Sequence, residues 1–257
     1  MDRDVESLYD YFGARYYDSR IGRWLSTDPM VTYHPDYGPY AYVYNNPVRS
    51  VDLLGLDTFR IDISNRSIAR ASEDKPTHHT YIVSNGEAQL ESHSLQINES
   101  GLVQFPASGE GFDRYGPEDE GGDHYLNPET AAALFGLTSE LRQNDQSFKV
   151  SFGDMSDASG GAPGGDHQTH GGPKGYSGDC VDFRYLDRNG RSFRGYSADD
   201  RFSVANNWTF FKAASYWGFR KNYASNWNVW SVLGHTLNIQ ARKIGGHNDH
   251  GHLTYTR

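Results

Sequence analysis

Cysteine is nearly absent from this sequence, and long apolar runs are absent altogether. With a single cysteine, Cys180, no disulfide can form within the chain, and a half-buried thiol is a commoner state for such a residue than a nucleophile. No stretch approaches the roughly 18–20 apolar residues that span a membrane, and the start "MDRDVESLYD" lacks the basic and apolar regions of a signal peptide. We therefore expect no membrane-spanning segment and no signal peptide.

Positive charge is also in short supply. The 24 Lys and Arg residues are outnumbered by 33 Asp and Glu residues, which gives a formal net charge of -9 and a pI near 5.6. Such a chain repels polyanions unless its basic residues cluster, and no cluster is visible, so we expect neither nucleic acid nor a membrane among its partners. Its 257 residues suffice for one large domain with a smaller appendage.

Residues 1–56 are rich in Tyr, Asp, Gly and Asn-Pro, a composition typical of short β-hairpins rather than helices. The segments "ARYYDSRIGRWLSTDP", "YAYVYNNPVRSVD" and "LLGL" occur there in that order. In order and spacing they closely resemble the C-terminal junction of RHS/YD-repeat proteins. The resemblance implies that residues 1–56 are a small β-rich RHS junction, which closes a β-shell around a toxin, and that residues 57–257 are the toxin domain.

The same family has an aspartate-dependent self-cleavage after a motif written Asp-Pro-x-Gly-Leu. The resemblance places one catalytic carboxylate at Asp28 and the cleavage after Leu56. In this chain the motif reads "DLLGL", so its proline is missing. Two interpretations stay open, because the aspartates of this segment either catalyse cleavage or cap turns.

After Leu56 the pattern predicts one α+β domain, an antiparallel sheet with flanking helices. Asn127 as N-cap and Pro128 at the first helical position predict a helix in "NPETAAALFGLTSELRQ". Asn85-Gly86 predicts a two-residue hairpin turn, and the glycine-rich "SDASGGAPGGDHQTHGGPKGYSGD" predicts a loop. The predicted strands are "DTFRIDIS", "HTYIVSNGEAQL", "SHSLQINES", "SFKVSFGD", which enters a turn, "CVDFRYL", "HTLNIQAR" and "HLTYT", and "SVANNWTFFKAASYWGFRKNYASNW" is predicted to be helical in part.

Two of the predicted strands carry polar side chains on one face. Side chains alternate along a strand, so "CVDFRY" places Asp182 and Arg184 opposite an apolar face, and "HGHLTY" does the same with His250 and His252. If these strands are neighbours, Asp182 and His252 converge. A carboxylate beside two imidazoles is then available for chemistry on this face.

The other histidines lie close to this pair in the sequence. The glycine-rich loop before "CVDFRY" supplies His167 or His170 as a third ligand, which completes the two-His, one-carboxylate set of a catalytic Zn²⁺ site. His247 and His250 are near enough to move protons and to stabilise an oxyanion. A lone histidine is more often a surface or core residue, but two tight clusters with an aspartate favour a metal site.

A second resemblance covers the last 110 or so residues. The stretch "FGDMSDASGGAPGGDHQTHGGPKGYSGDCVDFRY" and the closing "HNDHGH" look like the penicillin-insensitive murein endopeptidase family of zinc peptidases, related to the lysostaphin and D-Ala-D-Ala peptidase group. The segment between His170 and Asp182 is longer here than in that family, so His167 and His170 are able to exchange roles. The resemblance implies the zinc ligands His170, Asp182 and His252, with His250 as general base and His247 and His167 in supporting positions.

Asp154 and the aromatic residues of the last third also have two interpretations each. Asp154 either caps the turn into the glycine-rich loop, which we favour, or hydrogen-bonds a ligand histidine. The Trp and Tyr residues are expected mainly in the core, although some of them could line a substrate groove. They are Trp208, Tyr216, Trp217, Tyr223, Trp227 and Trp230.

Three functions are compatible with these patterns. The first is a zinc peptidase (peptidoglycan DD- or LD-endopeptidase), a toxin delivered by contact-dependent secretion such as type VI, with peptidoglycan, a cognate immunity protein and the secretion apparatus as partners. It would act as a secreted effector in the periplasm of the target bacterium. The second is a metal-dependent nuclease toxin of an RHS protein, which the acidic balance disfavours. The third is a binding module with structural zinc, which usually needs four ligands and often cysteines.

Overall fold

The structure is a computed structural model, and it describes most of the C-terminal part of the chain and short pieces of the N-terminal part. The described residues are 2–3, 9–11, 16–27, 40, 57–71, 78–116, 123–145, 147–162, 178–225, 240–242 and 248–256. Within them, no helix is long and apolar enough to cross a membrane.

The N-terminal residues form a small antiparallel sheet, as their composition predicts. Its strands pair in chain order, and the described turn between Asp18 and Arg23 closes through a hydrogen bond from Gly22 N–H to the carbonyl of Asp18. Tyr17 and Trp24 face each other across two of these strands with ring centroids 5.6 Å apart. The strands are β1 (Asp2–Arg3), β2 (Asp10–Tyr11), β3 (Tyr16–Asp18) and β4 (Arg23–Trp24).

A second four-stranded sheet follows, with β1–β4 pairing with none of its strands among the described residues. It contains β5 (Asp57–Asp62), β6 (Ser67–Ala71), β7 (His78–Ser84) and β8 (Gln89–Gln96), in the order β6-β5-β7-β8. The prediction of a two-residue turn at Asn85-Gly86 is wrong in length. The Asn85 side chain accepts hydrogen bonds from the backbone of Glu87 and Ala88, so the loop closes over residues 85–88 with Gly86 at φ +86°.

The clearest predicted helix is confirmed as α1 (Pro128–Asn144), and nearly all of it is buried. Asn127 holds the N-cap position, but its side chain does not cap the helix. It donates instead to the Asp179 carboxylate at 2.7 Å, which also accepts from Thr130 at 3.1 Å. A carboxylate at this helix N-terminus is favoured by the helix dipole. Asp179 therefore links the segment that leads into Cys180 to the N-terminus of α1.

The candidate site lies in a seven-stranded mixed sheet with the order β10-β11-β13-β14-β17-β15-β16. The prediction of an antiparallel sheet holds for its centre, but β11 pairs with β13, and β15 with β16, in parallel. The remaining elements are β9 (Val103–Gln104), β10 (Ser108–Gly109), β11 (Phe112–Arg114), β12 (Tyr125–Leu126), β13 (Val150–Phe152), β14 (Cys180–Arg184), α2 (Val204–Tyr216), β15 (Phe219–Tyr223), β16 (Gln240–Arg242) and β17 (His250–Tyr255).

One apolar cluster joins the second sheet, α1, α2 and the seven-stranded sheet. Phe135 of α1 contacts Tyr81 on β7 and Phe112 on β11, so α1 packs against both sheets. Phe210 of α2 packs on Phe183 of β14 with ring centroids 4.4 Å apart. Sheets packed with helices make this part of the chain an α+β structure, as predicted.

Candidate functional site

Strands β14 and β17 lie side by side at the centre of the seven-stranded sheet. They pair in antiparallel register, which sets Asp182 opposite His252 and Arg184 opposite His250. The expectation that these strands are neighbours is confirmed. The opposite face, which includes Phe183, packs into the core, so the polar side chains share the other face of the pair.

Asp182 and His252 form a buried pair. The Nδ1 atom of His252 lies 2.9 Å from Oδ1 of Asp182, and its Nε2 atom lies 3.1 Å from the hydroxyl of Thr254. The His252 residue is 1% exposed and Asp182 is 2% exposed. Both ring nitrogens of His252 therefore have partners, which holds the ring in one orientation.

His250 occupies a more open position on the same carboxylate. Its Nε2 atom lies 3.5 Å from Oδ2 of Asp182, and its Nδ1 atom lies 2.9 Å from Oδ1 of Asp249. The side chain is 18% exposed, against 1% for that of His252. His250 is thus the imidazole of this pair that reaches solvent, while His252 is enclosed.

The segment that follows β13 attaches to Asp182 through the backbone. Gly153 N–H donates to the carbonyl of Asp182 at 2.8 Å, and Asp182 N–H donates to the carbonyl of Asp154 at 2.9 Å. Asp157 caps the turn here, and both interpretations of Asp154 stay predictions. The Asp157 carboxylate accepts from the backbone N–H groups of Ser159 and Gly161, which closes the turn at the start of the glycine-rich loop.

The Tyr115 ring lies against the backbone of Gly153, which has no side chain to exclude it. A Cβ atom on Gly153 would lie 2.4 Å from Cζ of Tyr115, so only glycine permits this approach. Burial raises the pKa of Tyr115 well above its ordinary value, and the nearby charges of Asp182 and Asp154 raise it further. The Tyr115 hydroxyl consequently stays protonated beside a cluster of carboxylates.

Arg184 brings a positive charge to the same place. Its guanidinium carbon lies 4.1 Å from the centre of the Tyr115 ring. The charge of Arg184 acts to lower the Tyr115 pKa, against the carboxylates. Arg184 therefore contacts the tyrosine ring and partly offsets the effect of the carboxylates on it.

Cys180 and Tyr223 border the pair of Asp182 and His252. Cys180 is opposite Thr254 in the register, and burial raises the pKa of its thiol to about 12, so the residue is a buried thiol rather than a nucleophile. Tyr223 is opposite His252 on β15, with ring centroids 5.3 Å apart. Of the aromatic residues, Trp217 is a core residue as expected, whereas Tyr223 borders the site.

Several residues singled out in the sequence lie outside the described ranges. They are Asp28, Asp52, Leu56, His167, His170, Trp227, Trp230 and His247. Their predicted roles, including the third zinc ligand, stay predictions. Among the described residues alone, no group of His, Cys, Asp and Glu side chains is complete enough to hold a metal ion.

The described donors nevertheless fit part of a zinc site. Ligand atoms about 2.0–2.1 Å from zinc at tetrahedral angles lie about 3.3 Å from each other. The 2.9 Å between Oδ1 of Asp182 and Nδ1 of His252 is close to that separation. A carboxylate and an imidazole belong to the ligand types that zinc accepts, so this pair would supply two of the ligands of a zinc site.

Comparison with known proteins bears on the resemblance to RHS proteins. No protein-family model matches the chain. The chain is similar to toxin subunit YenC2 of Yersinia entomophaga, with 44% identity over 69 residues. The match covers 26% of this chain and 7% of that protein, so the chain spans a small part of the relative's length. The similarity agrees with an RHS-type junction and supports an RHS-type toxin in general.

Three residues near the site had no role in the sequence interpretation: Tyr115, Arg184 and Asp249. Alternation places Arg184 on the face of Asp182, but nothing local distinguishes it from any exposed arginine. Asp249 precedes His250 directly, and its contact depends on the side-chain conformation. Tyr115 reaches Gly153 and Arg184 through long-range packing, for which the sequence has no signal.

Proposed function

We propose that this chain is a zinc-dependent peptidase toxin that hydrolyses the cross-link peptides of bacterial peptidoglycan. The observation that carries the proposal is one buried carboxylate shared by two imidazoles, with Asp182 lying 2.9 Å from His252 and 3.5 Å from His250. A charged group buried in this way costs stability, because it loses its hydration. Such arrangements are typical of functional sites.

Asp182 and His252 would hold the zinc ion, and the murein endopeptidase resemblance supplies His170 as the third ligand, with His167 as its alternative. Zinc in such a set polarises a peptide carbonyl and makes a water molecule more acidic. The hydroxyl of Thr254, 3.1 Å from Nε2 of His252, turns Nδ1 of the ring towards Asp182. The protein thus orients the ligand through a partner outside the ligand set.

His250 would move the proton in this reaction. Its Nδ1 atom is held by Asp249, and its Nε2 atom faces Asp182 at the open side of the pair. A partly exposed imidazole held by a carboxylate is suited to accept a proton from the attacking water and to deliver it to the leaving amine. His247 and His167 keep the supporting roles that the resemblance gives them.

The toxin setting comes from the N-terminal part of the chain. The similarity to an RHS-type toxin subunit supports a toxin, and the murein endopeptidase resemblance points to the bacterial cell wall as its target. The proposal therefore includes delivery by a contact-dependent apparatus such as type VI secretion, action in the periplasm of a rival bacterium, and a cognate immunity protein.

The charges around the site favour a peptide over a nucleic acid. The carboxylates of Asp182, Asp154 and Asp249 all raise the pKa of Tyr115, which shows that their negative field reaches the tyrosine. Only one arginine, Arg184, acts against these three carboxylates on Tyr115, whereas nucleic-acid sites depend on clustered Lys and Arg.

Digestion of purified peptidoglycan tests the proposal. The zinc-loaded protein and its His252→Ala and His250→Ala variants are incubated with sacculi, and the released fragments are identified by mass spectrometry. A His78→Ala variant, altered on β7 in the other sheet, is the matched control. We expect loss of cross-linked dimers and a mass gain of one water at a peptide bond with the unmutated and control proteins, and a rate at least about 100-fold lower for the two site variants. Intact sacculi with zinc confirmed in the protein would contradict the peptidase.

A further inference from the structure

We propose that the Arg184 guanidinium, stacked on Tyr115, binds a free carboxylate of the peptide substrate next to the bond that is hydrolysed. The inference rests on the proposed peptidase and specifies its substrate class, a peptide with a free terminal or side-chain carboxylate near the cross-link. It gives a role to an arginine that neither resemblance assigns.

The position of Arg184 follows from the strand register. It is opposite His250 on the adjacent strand and two residues after Asp182 on its own strand. Side chains directly opposite in an antiparallel pair have Cβ atoms about 4.5–5.5 Å apart, so the arginine stem starts beside the exposed histidine. A group held by Arg184 is therefore next to the residues proposed to carry out hydrolysis.

Arg184 differs from the other stacked arginines in its lack of a carboxylate partner. Among the described residues, every other arginine that stacks on an aromatic ring also forms an ion pair. These pairs are Arg20–Asp18, Arg66–Glu140, Arg70–Glu129 and Arg201–Asp199. Within the same part of the chain, no carboxylate forms an ion pair with Arg184.

The nearby carboxylates already have other partners. Asp182 contacts both His252 and His250, and Asp249 contacts His250. When a guanidinium stacks on a ring, its N–H groups still point outward from its own edge. A carboxylate can bind that edge with two parallel hydrogen bonds. With respect to the described residues, the guanidinium edge of Arg184 is thus available to an anion that comes from outside the protein.

Tyr115 holds the Arg184 guanidinium in position and does not compete with a substrate carboxylate for it. Its ring is packed on Gly153 and keeps the guanidinium in one plane. Burial raises its pKa well above the ordinary value, so the tyrosine stays neutral and adds no negative charge that would occupy Arg184. The alternative to substrate binding is that Arg184 merely offsets the negative charges of Asp182 and Asp249.

Substrates with and without the carboxylate separate these two roles. The zinc-loaded full chain and its Arg184→Gln variant are compared on three synthetic cross-linked peptides: the free acid, its C-terminal amide, and the amide of its diaminopimelate side-chain carboxylate. Arg70→Gln is the matched control, because Arg70 also stacks on a ring but lies in the other sheet. Arg184→Lys keeps the positive charge without the bidentate geometry and serves if the glutamine variant fails to fold.

We expect amidation of one of the two carboxylates to lower kcat/KM of the unmutated protein roughly 10- to 100-fold, mainly through KM. Arg184→Gln should hydrolyse all three peptides equally, at the rate of the unmutated protein on the poor amide. The amide that shows the effect identifies which carboxylate is bound. A variant that still prefers the free acid, or that slows all three peptides by one factor, would overturn the inference. If the unmutated protein hydrolyses none of the peptides and leaves sacculi intact, the proposed function fails and the inference falls with it.

Discussion

Gly251 separates the two site histidines of β17, and its replacement by alanine is a direct test of how this part of the sheet is packed. A Cβ atom at this position would lie 2.5 Å from Cζ and 2.6 Å from Cε1 of Phe183, and 3.2 Å from Cζ of Phe211. Carbon atoms pack best at about 3.5–4.0 Å, so the Phe183 ring would have to move by about 1 Å. Phe183 is fully buried and contacts Phe210 at a centroid distance of 4.4 Å, which leaves little room for that movement.

We therefore expect Gly251→Ala to lower the free energy of unfolding by about 2–3 kcal/mol, at the upper end of what an extra buried methyl group costs. Urea denaturation followed by tryptophan fluorescence measures this value. In a chain of this size the loss corresponds to a fall in Tm of roughly 5–10 °C. Because Gly251 pairs with Phe183 between the site pairs Asp182–His252 and Arg184–His250, zinc affinity should fall as well.

The Phe183→Leu/Gly251→Ala double variant provides the control for this reasoning. Leucine at position 183 leaves space for the new methyl group, so the double variant should be at least about 1 kcal/mol more stable than the sum of the two single changes predicts. A Gly251→Ala protein within about 0.5 kcal/mol of the unmutated protein would refute the packing argument. If the changes in the free energy of unfolding are additive in the double variant, Phe183 is not the group that clashes with the new methyl group.

Three further predictions concern groups outside the site. Glu140→Ala should lower the free energy of unfolding in urea by about 2–3 kcal/mol, because the Glu140 carboxylate accepts from Arg66 and from Nε1 of Trp217, both at 2.7 Å, whereas Glu140→Gln should lose about half as much. His124 should stay neutral in the folded protein down to about pH 4, because burial, followed by the charge of Arg114, lowers its pKa to about 4, although its Nδ1 atom contacts the neighbouring aspartate. The unfolded chain takes up that proton near pH 6.5, so the free energy of unfolding should decrease as the pH falls from about 6.5 to 4. In urea titrations, His124→Gln should weaken this pH dependence. An unchanged dependence would contradict the assignment to His124. Cys180 should react with a thiol reagent at pH 8 at least about 100 times more slowly in the folded protein than in urea, since burial raises its pKa to about 12; equal rates would contradict its burial.

Local patterns in the sequence determined most of the elements that carry the site. The alternation in "CVDFRY" and "HGHLTY" placed Asp182, His250 and His252 on polar strand faces, and both strands are present as β14 and β17. Proline at the first helical position and apolar residues at helical spacing similarly predicted α1. These features follow from backbone geometry within a few residues, so they are readable without knowledge of the rest of the chain.

Side-chain partners that lie far apart in the sequence were predicted less well. The N-cap position of Asn127 was correct, but its amide binds Asp179 rather than the helix, because a buried carboxylate competes for the donor. The turn at Asn85 was placed correctly but has the wrong length, because the Asn85 side chain binds the backbone of residues 87 and 88. The two parallel strand pairs of the large sheet, β11 with β13 and β15 with β16, have no local signal either, since parallel pairing depends on long connections.

The sequence by itself determined which residues have the chemistry of a metal and acid-base site, since residue type and strand alternation are local properties. Only the tertiary structure decided that Asp182 is shared by His252 and His250, that His250 is the more exposed imidazole, and that Arg184 stacks on Tyr115 without a carboxylate partner in the described part of the chain. Those contacts join residues 68 to 70 positions apart along the chain, and the contacts of Asp182 with the two histidines form because burial of Phe183 and its neighbours brings β14 and β17 together. A pattern of side chains along one strand contains no information about the partner that packing selects.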